Sequence, residues 1–433
     1  LTANALAQES NSVLSLEQAI NQTLANNFDI KIERFNQEAD ANSVSKAVAG
    51  QLPTLNLSLG YEFGYSNAEI QTLGGEPGNP SPPLELDGTA QTFNFSPEIS
   101  IPVFSGFRHR YQYKQLQVAE KSSTALVQQT IERSISKTVS LYLETARLQA
   151  QLSISEEILE ISRDRHLRMV ESARYGASNS LARLQAEVDL KTDSANYRNL
   201  RLMYKNSIRN LNLQMGQQPD IAYRVTEKIS LTNVLSYEDL KKKMLANNSL
   251  IHVSRLRVEN ANHQTEIAKS YIAPNISGYA NYTYLNSENE ANFLRSQRVS
   301  GPNVGVRMSW RLYDGGTSKI QRQNAAVRLS QQQTSLQYAT LQLETELKNI
   351  FNQYLTGREQ LRIERSNLAT YQLNYDKTAE DFRLGQADAS DLRSAQLNLS
   401  SARNRINDLV YDIKQSEVRL LELSGELQLN IAK

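Results

Sequence analysis

The residue types that most often carry catalysis or hold metals are few in this chain and poorly spaced for either role. Four histidines, His109, His166, His252 and His263, are spread over 433 residues, and no two have the helix-face spacing that would grip a metal beside a third ligand. His109 follows Gly106-Phe107-Arg108 and reads as a surface or interface residue. The adjacent carboxylates Glu156-Glu157 lie in a charged helical stretch, where solvation accounts for them. Cysteine is absent, which removes disulfides, thiolate metal sites and thiol nucleophiles. No phosphate loop, dinucleotide fingerprint or nucleophile elbow occurs. The expectation is a protein that is no enzyme and needs no cofactor and no metal.

Bulk composition narrows the remaining classes. Basic and acidic residues number 47 and 46, so nothing in the net charge draws the chain to nucleic acid. Only 39% of residues are hydrophobic and 7% aromatic, which suits elements wet on more than one face. No apolar run approaches the roughly 18 to 20 residues of a spanning helix, an exclusion that leaves spanning β-strands open. Ala5-Leu6-Ala7 before Gln8 has the small-x-small form of a signal-peptidase site, and export with a cleaved leader is expected from it.

The elements that must position any functional residue come in two copies. Leu24-Ala25-Asn26-Asn27 recurs as Leu245-Ala246-Asn247-Asn248, and Pro53 recurs as Pro274, both at a shift of 221 positions. Phe104-Ser105-Gly106 then matches Tyr313-Asp314-Gly315, Arg174-Tyr175-Gly176 matches Arg383-Leu384-Gly385, and Gly216 matches Gly425, all at a shift of 209. Repeats of this length are far longer than solenoid units, so each is a large part of one structure. The first covers 1–216 and the second 217–433, and the two are expected to build one intertwined assembly rather than independent domains.

Within the first repeat, 107–175 contains neither Gly nor Pro, which predicts a helix roughly 100 Å long at about 1.5 Å per residue. Ile131, Ile135, Val139, Tyr142 and Ala146 recur at coiled-coil-like steps inside it. Gly176 reads as a hairpin turn into a returning helix over 177–215. The second repeat offers 317–384, interrupted only by Gly357, and 387–424. An antiparallel coiled coil or a helical spacer would satisfy all of this.

Strands add a different period. Leu55, Leu57, Leu59, Tyr61, Phe63 and Tyr65 alternate with Asn56, Ser58, Gly60, Glu62 and Gly64, and Phe93, Phe95, Pro97, Ile99, Ile101 and Val103 alternate in the same way. In the second repeat Val304, Val306, Met308, Trp310 and Leu312 alternate with small or polar residues, and Tyr282 and Tyr284 mark the remaining strand. Strand hairpins are expected at about 53–103 and 274–312. The segment 66–90, with Pro77, Pro80, Pro82 and Pro83, reads as an irregular exposed loop. Two architectures fit: a soluble sheet with one buried face, or part of a membrane barrel. Four strands cannot close a barrel, so the second demands several copies.

In the order helix, strand hairpin, very long helix, glycine turn and returning helix, repeated once, the chain resembles the TolC-like outer membrane efflux protein family over essentially its whole length. Local patterns that carry the resemblance are Leu16-Glu17-Gln18-Ala19, Gln51-Leu52-Pro53 and the two turns at Gly176 and Gly385. The resemblance implies a mainly α fold with a β-barrel contribution. Long helical hairpins would form a trimeric α-barrel, and four strands per chain would share a twelve-stranded outer membrane barrel. It implies a homotrimer in outer membrane lipid of a Gram-negative bacterium, reaching into the periplasm. Cargo would exit passively after delivery by a periplasmic adaptor and an inner membrane transporter of RND, ABC or MFS type, in multidrug efflux or type I secretion.

It also implies roles for particular residues. Arg174, Gly176, Arg383 and Gly385 would form the adaptor-docking tips. Asp391, with Asp388, would stand at the periplasmic entrance, where three symmetry copies make an acidic ring that favours cations. Ala182 and Ala387 depart from the family pattern of an aspartate and an arginine there, which shifts the closing contacts toward Arg183 or Arg393. Tyr61, Phe63, Tyr282, Tyr284 and Trp310 would serve as membrane-interface aromatics. Glu62, Glu98, Arg307 and Arg311 would line the lumen. The alternative is a periplasmic or surface coiled-coil structural protein without channel activity.

Overall fold

The structure is a computed structural model describing residues 13–70, 75–76, 79–80, 83–175, 180–226, 229–231, 235–292 and 294–427. In chain order its elements are β1 (Val13–Leu14), α1 (Leu16–Asn26), α2 (Phe28–Ser43), β2 (Thr54–Ile70), β3 (Gly75–Glu76), β4 (Asn79–Pro80), β5 (Leu84–Phe104), α3 (Arg108–Arg174) and α4 (Ser180–Gln214). The second repeat follows as β6 (Arg224–Val225), α5 (Tyr237–Asn247), α6 (Ser249–Ser270), β7 (Asn275–Asn289), β8 (Ser296–Ser309), α7 (Thr317–Arg383) and α8 (Ala389–Ser424). The fold is thus mainly helical with a few strands. The small-x-small triplet near the start and Gly176 lie outside the described residues.

The doubled Leu-Ala-Asn-Asn motif has a backbone purpose. Helix α1 begins at a capping box between Ser15 and Gln18, and both α1 and α5 stop where the second asparagine leaves the helical conformation. The Asn27 amide then donates to the Gln214 carbonyl at 2.8 Å, and Asn248 donates to the equivalent Leu423 carbonyl at 3.0 Å. Each asparagine ties a short helix to the end of a returning helix. The paired glycines complete the joint. Gly216 (φ +69°) and Gly425 (φ +74°) sit where an added Cβ would lie 2.6 and 2.8 Å from the carbonyl oxygens of Asn26 and Asn247, so only glycine fits.

The long helices α3 and α7 each run 67 residues without a break, and Gly357 does not interrupt α7. A Cβ at Gly357 would meet Ile413 Cγ1 at 3.0 Å, so the missing side chain lets α7 and α8 approach closely. The stripe Ile135, Val139, Tyr142 and Ala146 is buried in one core with Leu211 and Met215, while Met244, Leu347, Tyr354 and Leu420 form a second. A short parallel pairing of β1 with β6 is clamped by the Tyr142 hydroxyl, which donates to Leu14 O at 2.9 Å and accepts from Thr226 N at 3.0 Å.

The sheet has the order β2-β5-β7-β8, antiparallel throughout. Its strands exceed the expected lengths. Ser66 pairs with Gly88 and the ladder continues to Ile70 and Leu84, which corrects the expectation of an irregular loop over 66–90. Backbone pairing on both strands overrides the low strand propensity of Asn67, Asp87 and Gly88 there. At the other end β8 stops at Ser309, so Trp310 and Leu312 lie beyond it and not within the strand. The Trp310 indole N–H donates to the Ile272 carbonyl at 3.1 Å, outside the ladder.

Two compact units emerge, each drawing on both repeats. One comprises Leu1–Glu38, Ser122–Arg255 and Thr334–Lys433; the other, with the four-stranded sheet, comprises Ala39–Lys121 and Leu256–Gln333. Among the described residues, no helix is long and apolar enough to cross a membrane.

Candidate functional site

The sheet leaves its apolar side chains exposed. Leu55, Leu57, Leu59, Tyr61, Phe63 and Tyr65 of β2 are all exposed, as are Val103 of β5 and Val304, Val306 and Met308 of β8. Cross-strand register puts Leu55, Ile99, Ala280 and Val304 on one face, and Leu59, Phe95 and Tyr284 on that same face. A soluble sheet would bury such a face, because covering each large apolar side chain is worth about 1.5–3 kcal/mol. Tyr61, Phe63, Tyr282 and Tyr284 sit at mid-strand now that the strands are longer, and Tyr284 packs edge-on against Phe93.

The opposite face is polar. Glu62, Thr92, Ser287 and Gln297 form one row, and Asn56, Glu98, Asn281 and Asn303 another. The Arg307 guanidinium stacks over the Tyr279 ring at 4.7 Å, and the ring rests where a Cβ on Gly305 would come within 2.8 Å of it. Arg311 follows the strand end. Among the described residues, the outer strands β2 and β8 have no partner on their far edges.

The other region of interest is the turn from α7 to α8. Gly385 adopts φ +75°, and Gln386 N–H donates back to the Asp381 carbonyl at 2.8 Å, a left-handed helix end that glycine favours. Arg383 is exposed and pairs with Glu380 at 3.4 Å. Leu384 is exposed too, and at the first tip so are Arg174 and Tyr175. A Cβ on Gly385 would meet nothing within 4 Å, so the backbone there is open to approach.

Asp388 and Asp391 work together at the start of α8. The Asp388 carboxylate accepts from Ser390 N at 2.7 Å and Asp391 N at 2.8 Å, while Asp391 accepts from Asp388 N at 3.3 Å. This capping box satisfies the first amides of the helix and places two carboxylates on its positive end. Both side chains are exposed; Ala387 before them and Ala182 of α4 are partly exposed.

Arg393 joins a buried ionic cluster. Its guanidinium contacts Asp193 at 2.8 Å and Asp189 at 3.8 Å from α4, and Ser162 Oγ of α3 at 3.4 Å. Arg165 of α3 pairs with Asp189 at 2.5 Å, and Ser162 donates to Asp193 at 2.5 Å. Burial lowers the Arg165 pKa, Asp189 opposes the shift, and the neighbouring Arg393 charge adds to it. The cluster fastens α8 to both α3 and α4. Arg165, Asp189, Asp193 and Ser162 were not singled out from sequence. Their spacings by three and four put each pair on one helix face, but nothing in the linear order says which helix faces them.

No reaction centre emerges among the described residues, where no group of three His, Asp or Glu side chains is placed to hold a metal. His109 is partly buried, with Nδ1 3.0 Å from the Ala49 carbonyl. Glu157 pairs with Arg403 at 3.0 Å.

Comparison with known proteins agrees with this geometry. The family described as "Outer membrane efflux protein" matches residues 19–217 and 240–426. The proteases secretion protein PrtF of Dickeya chrysanthemi is 22% identical over 423 residues, covering 93% of this chain and 86% of that protein. Among solved structures, the CmeC outer membrane channel of Campylobacter jejuni superposes with a TM-score of 0.78 at 16% identity, covering 98% of this chain and 91% of its own. The outer membrane protein VceC of Vibrio cholerae superposes with a TM-score of 0.75 at 14% identity, covering 95% and 96%. The chain belongs to the outer membrane efflux protein family and is an outer membrane efflux or secretion channel rather than an enzyme.

Proposed function

We propose that three copies of the chain join their sheets into one twelve-stranded barrel in the outer membrane, the exit of a conduit whose helices extend into the periplasm. The observation that carries this is the sheet with an exposed apolar face and two open edges. Open edges cannot remain in hydrocarbon, where each unpaired backbone group costs several kcal/mol, so another copy must pair with them. With four antiparallel strands per chain, β8 of one copy runs antiparallel to β2 of the next, and the ring closes without a parallel junction. Three is the number that the resemblance to TolC-like channels implies. About 9 to 11 residues span the hydrocarbon, which puts Tyr61 and Phe63 of β2 near the far interface, while Trp310 lies at the periplasmic one.

In this reading the tips at Arg174, Gly176, Arg383 and Gly385 receive the periplasmic adaptor, and an RND, ABC or MFS transporter supplies energy. Asp391 and Asp388 give the entrance an acidic ring, with Ala182 and Ala387 as its small neighbours. Of the two cargo classes, the name of PrtF favours a secreted polypeptide.

The test is single-channel recording of detergent-purified protein in planar bilayers, with subunits counted by chemical cross-linking. Discrete channels from trimers, with cation selectivity weakened in Asp391→Ala, are the expected result. Trimers whose selectivity is unchanged in that variant would discard the acidic entrance; protein soluble without detergent and lacking channels would discard the duct.

A further inference from the structure

The two strand hairpins are copies of one another, yet their polar faces carry opposite charge. Thr54 opposite Ser100 in the first becomes Asn275 opposite Ser309 in the second, so Glu98 and Arg307 hold the same place. Both lie on the polar face, opposite Asn56 and Ser277 respectively. Their surroundings differ with them. In the second hairpin the Tyr279 ring lies across Gly305, where a Cβ would come within 2.8 Å of it, and the Arg307 guanidinium stacks over that ring at 4.7 Å. In the first hairpin the equivalents of Tyr279 and Gly305 are Ser58 and Ser96, a pair with no ring. Tyrosine, glycine and arginine thus replace serine, serine and glutamate as a set. Between 47 and 107 there is neither Lys nor Arg, so nothing in the first hairpin neutralises Glu98. Among the described residues, neither Glu98 nor Arg307 has an ion-pair partner within the chain.

We propose that Glu98 and Arg307 form a ring of alternating charge inside the barrel, three carboxylates and three guanidiniums, which passes mixed-charge cargo without selecting either sign. This rests on the twelve-stranded reading above. With the strand order β2-β5-β7-β8 in each copy, first and second hairpins alternate around the wall, so an equivalent position recurs six times. Crossing from β5 to β8, the ladder takes Glu98 to Asn281 and on to Asn303, four residues short of Arg307. A closed barrel needs such a stagger: at a strand tilt of about 45° and a spacing of about 4.8 Å, it brings equivalent residues to within roughly 3 Å of one level. Glu98 and Arg307 therefore share a belt.

Distances decide whether the belt matters to a passing ion. Twelve strands at that spacing and tilt enclose a wall about 26 Å across, and side-chain tips about 6 Å inside it stand roughly 7 Å from the axis. The screening length is about 10 Å at 0.1 M salt, so each charge is felt at the axis. Because the ring sums to zero, the two signs cancel there, and removing one exposes the other. The Tyr279 shelf holds each guanidinium against the wall, which keeps it from crossing to a neighbouring Glu98 and collapsing the ring into ion pairs. A polypeptide with side chains of both signs, or a zwitterion, then meets a partner for each charge and no net barrier.

Arg307→Gln, Glu98→Gln and the double variant would be recorded in planar bilayers across a KCl gradient near about 0.1 M, each also in the Asp391→Ala background so that the entrance does not mask the barrel. The reversal potential gives the ratio of potassium to chloride permeability. Arg307→Gln is expected to raise that ratio about twofold or more, Glu98→Gln to lower it by about as much, and the double variant to return it to the parent value. Both shifts should shrink in about 1 M salt, where the screening length falls to about 3 Å. Conducting trimers whose ratio stays fixed in both single variants, or moves the same way in both, would overturn the ring and leave the barrel standing. Parent protein that forms no channels would overturn barrel and ring together.

Discussion

Thr23 and Thr138 meet through a 2.9 Å hydroxyl contact in the first repeat, while the equivalent positions of the second hold Met244 and Leu347, both fully buried in an apolar core. The tips diverge in the same manner. Arg165, Asp189 and Asp193 of the first repeat correspond to Asn374, Asn398 and Ala402, and Arg393 of the second corresponds to Leu184. By contrast, the asparagine at each helix break and the glycine at each returning-helix end are the same residue in both repeats and make the same backbone contact. Side chains that bind backbone have few substitutes, whereas side chains that bind each other can be exchanged as a set.

Replacing Arg393 with leucine, as at Leu184, tests that statement most severely. Asp193 is almost fully buried and would lose its guanidinium partner, so a loss of about 3–5 kcal/mol is expected in urea unfolding. Adding Asp193→Ala, the residue at Ala402, should recover more than half of the loss, because no charge is then left unpaired. Leu184→Arg, on an exposed position, should cost less than about 0.5 kcal/mol. A small effect of Arg393→Leu would mean that Arg165 already balances both aspartates, and the repeats would differ less than their sequences suggest.

Glycine positions sharpen the contrast next. Gly425 and Gly385 share a left-handed backbone, at φ +74° and +75°, so alanine at either carries about 1–2 kcal/mol of strain. Only at Gly425 does the new methyl also strike a backbone carbonyl. Gly425→Ala should therefore lower stability by at least about 1 kcal/mol more than Gly385→Ala. Equal losses would show that the joint at Asn247 can move aside.

The core exchange should be smaller. Thr23→Met and Thr138→Leu are each expected to cost about 1–3 kcal/mol alone, the first by overpacking and the second by removing a hydroxyl partner. Together they recreate the pair at Met244 and Leu347, and a double-mutant cycle should report at least about 0.5 kcal/mol of favourable coupling. Strict additivity would mean the two cores are not interchangeable.

These pairs also explain what could be read from the chain. The long helices were legible to within a few residues because gaps between Gly and Pro bound them, and the strands because Leu55 to Tyr65 alternate without exception. Strand ends were less legible: pairing with Leu84 to Gly88 stabilises a stretch that its own residues do not mark as β. Asp388 and Asp391 were visible as acidic residues after a turn glycine, but their mutual capping depends on a helix start two residues later than the sequence suggested. The cluster around Arg393 was hidden because it joins residues about 200 positions apart across three helices. A periodic pattern tells which face of a helix is used, not which neighbour it meets.

The smallest expected effect concerns Asp412, which stands where the first repeat has Met203. Burial raises its pKa above the ordinary value of 3.8, the Asp408 charge one helical turn away adds to this, Arg147 opposes it, and Glu144 adds to it. A carboxyl with a higher pKa in the folded than in the unfolded chain stabilises the fold fully only below the unfolded value, and that contribution is lost as pH rises through the folded value. At neutral pH the charged Asp412 is therefore a slight burden. Asp412→Asn should raise the midpoint of thermal unfolding at about pH 7 by roughly 1 °C, a small amount because the side chain remains partly in water. The gain should shrink as pH falls through the raised pKa, where the native carboxyl takes up its proton. A gain that persists unchanged at low pH would trace to local contacts instead, and would make this position another place where the repeats exchange a polar for an apolar residue without electrostatic consequence.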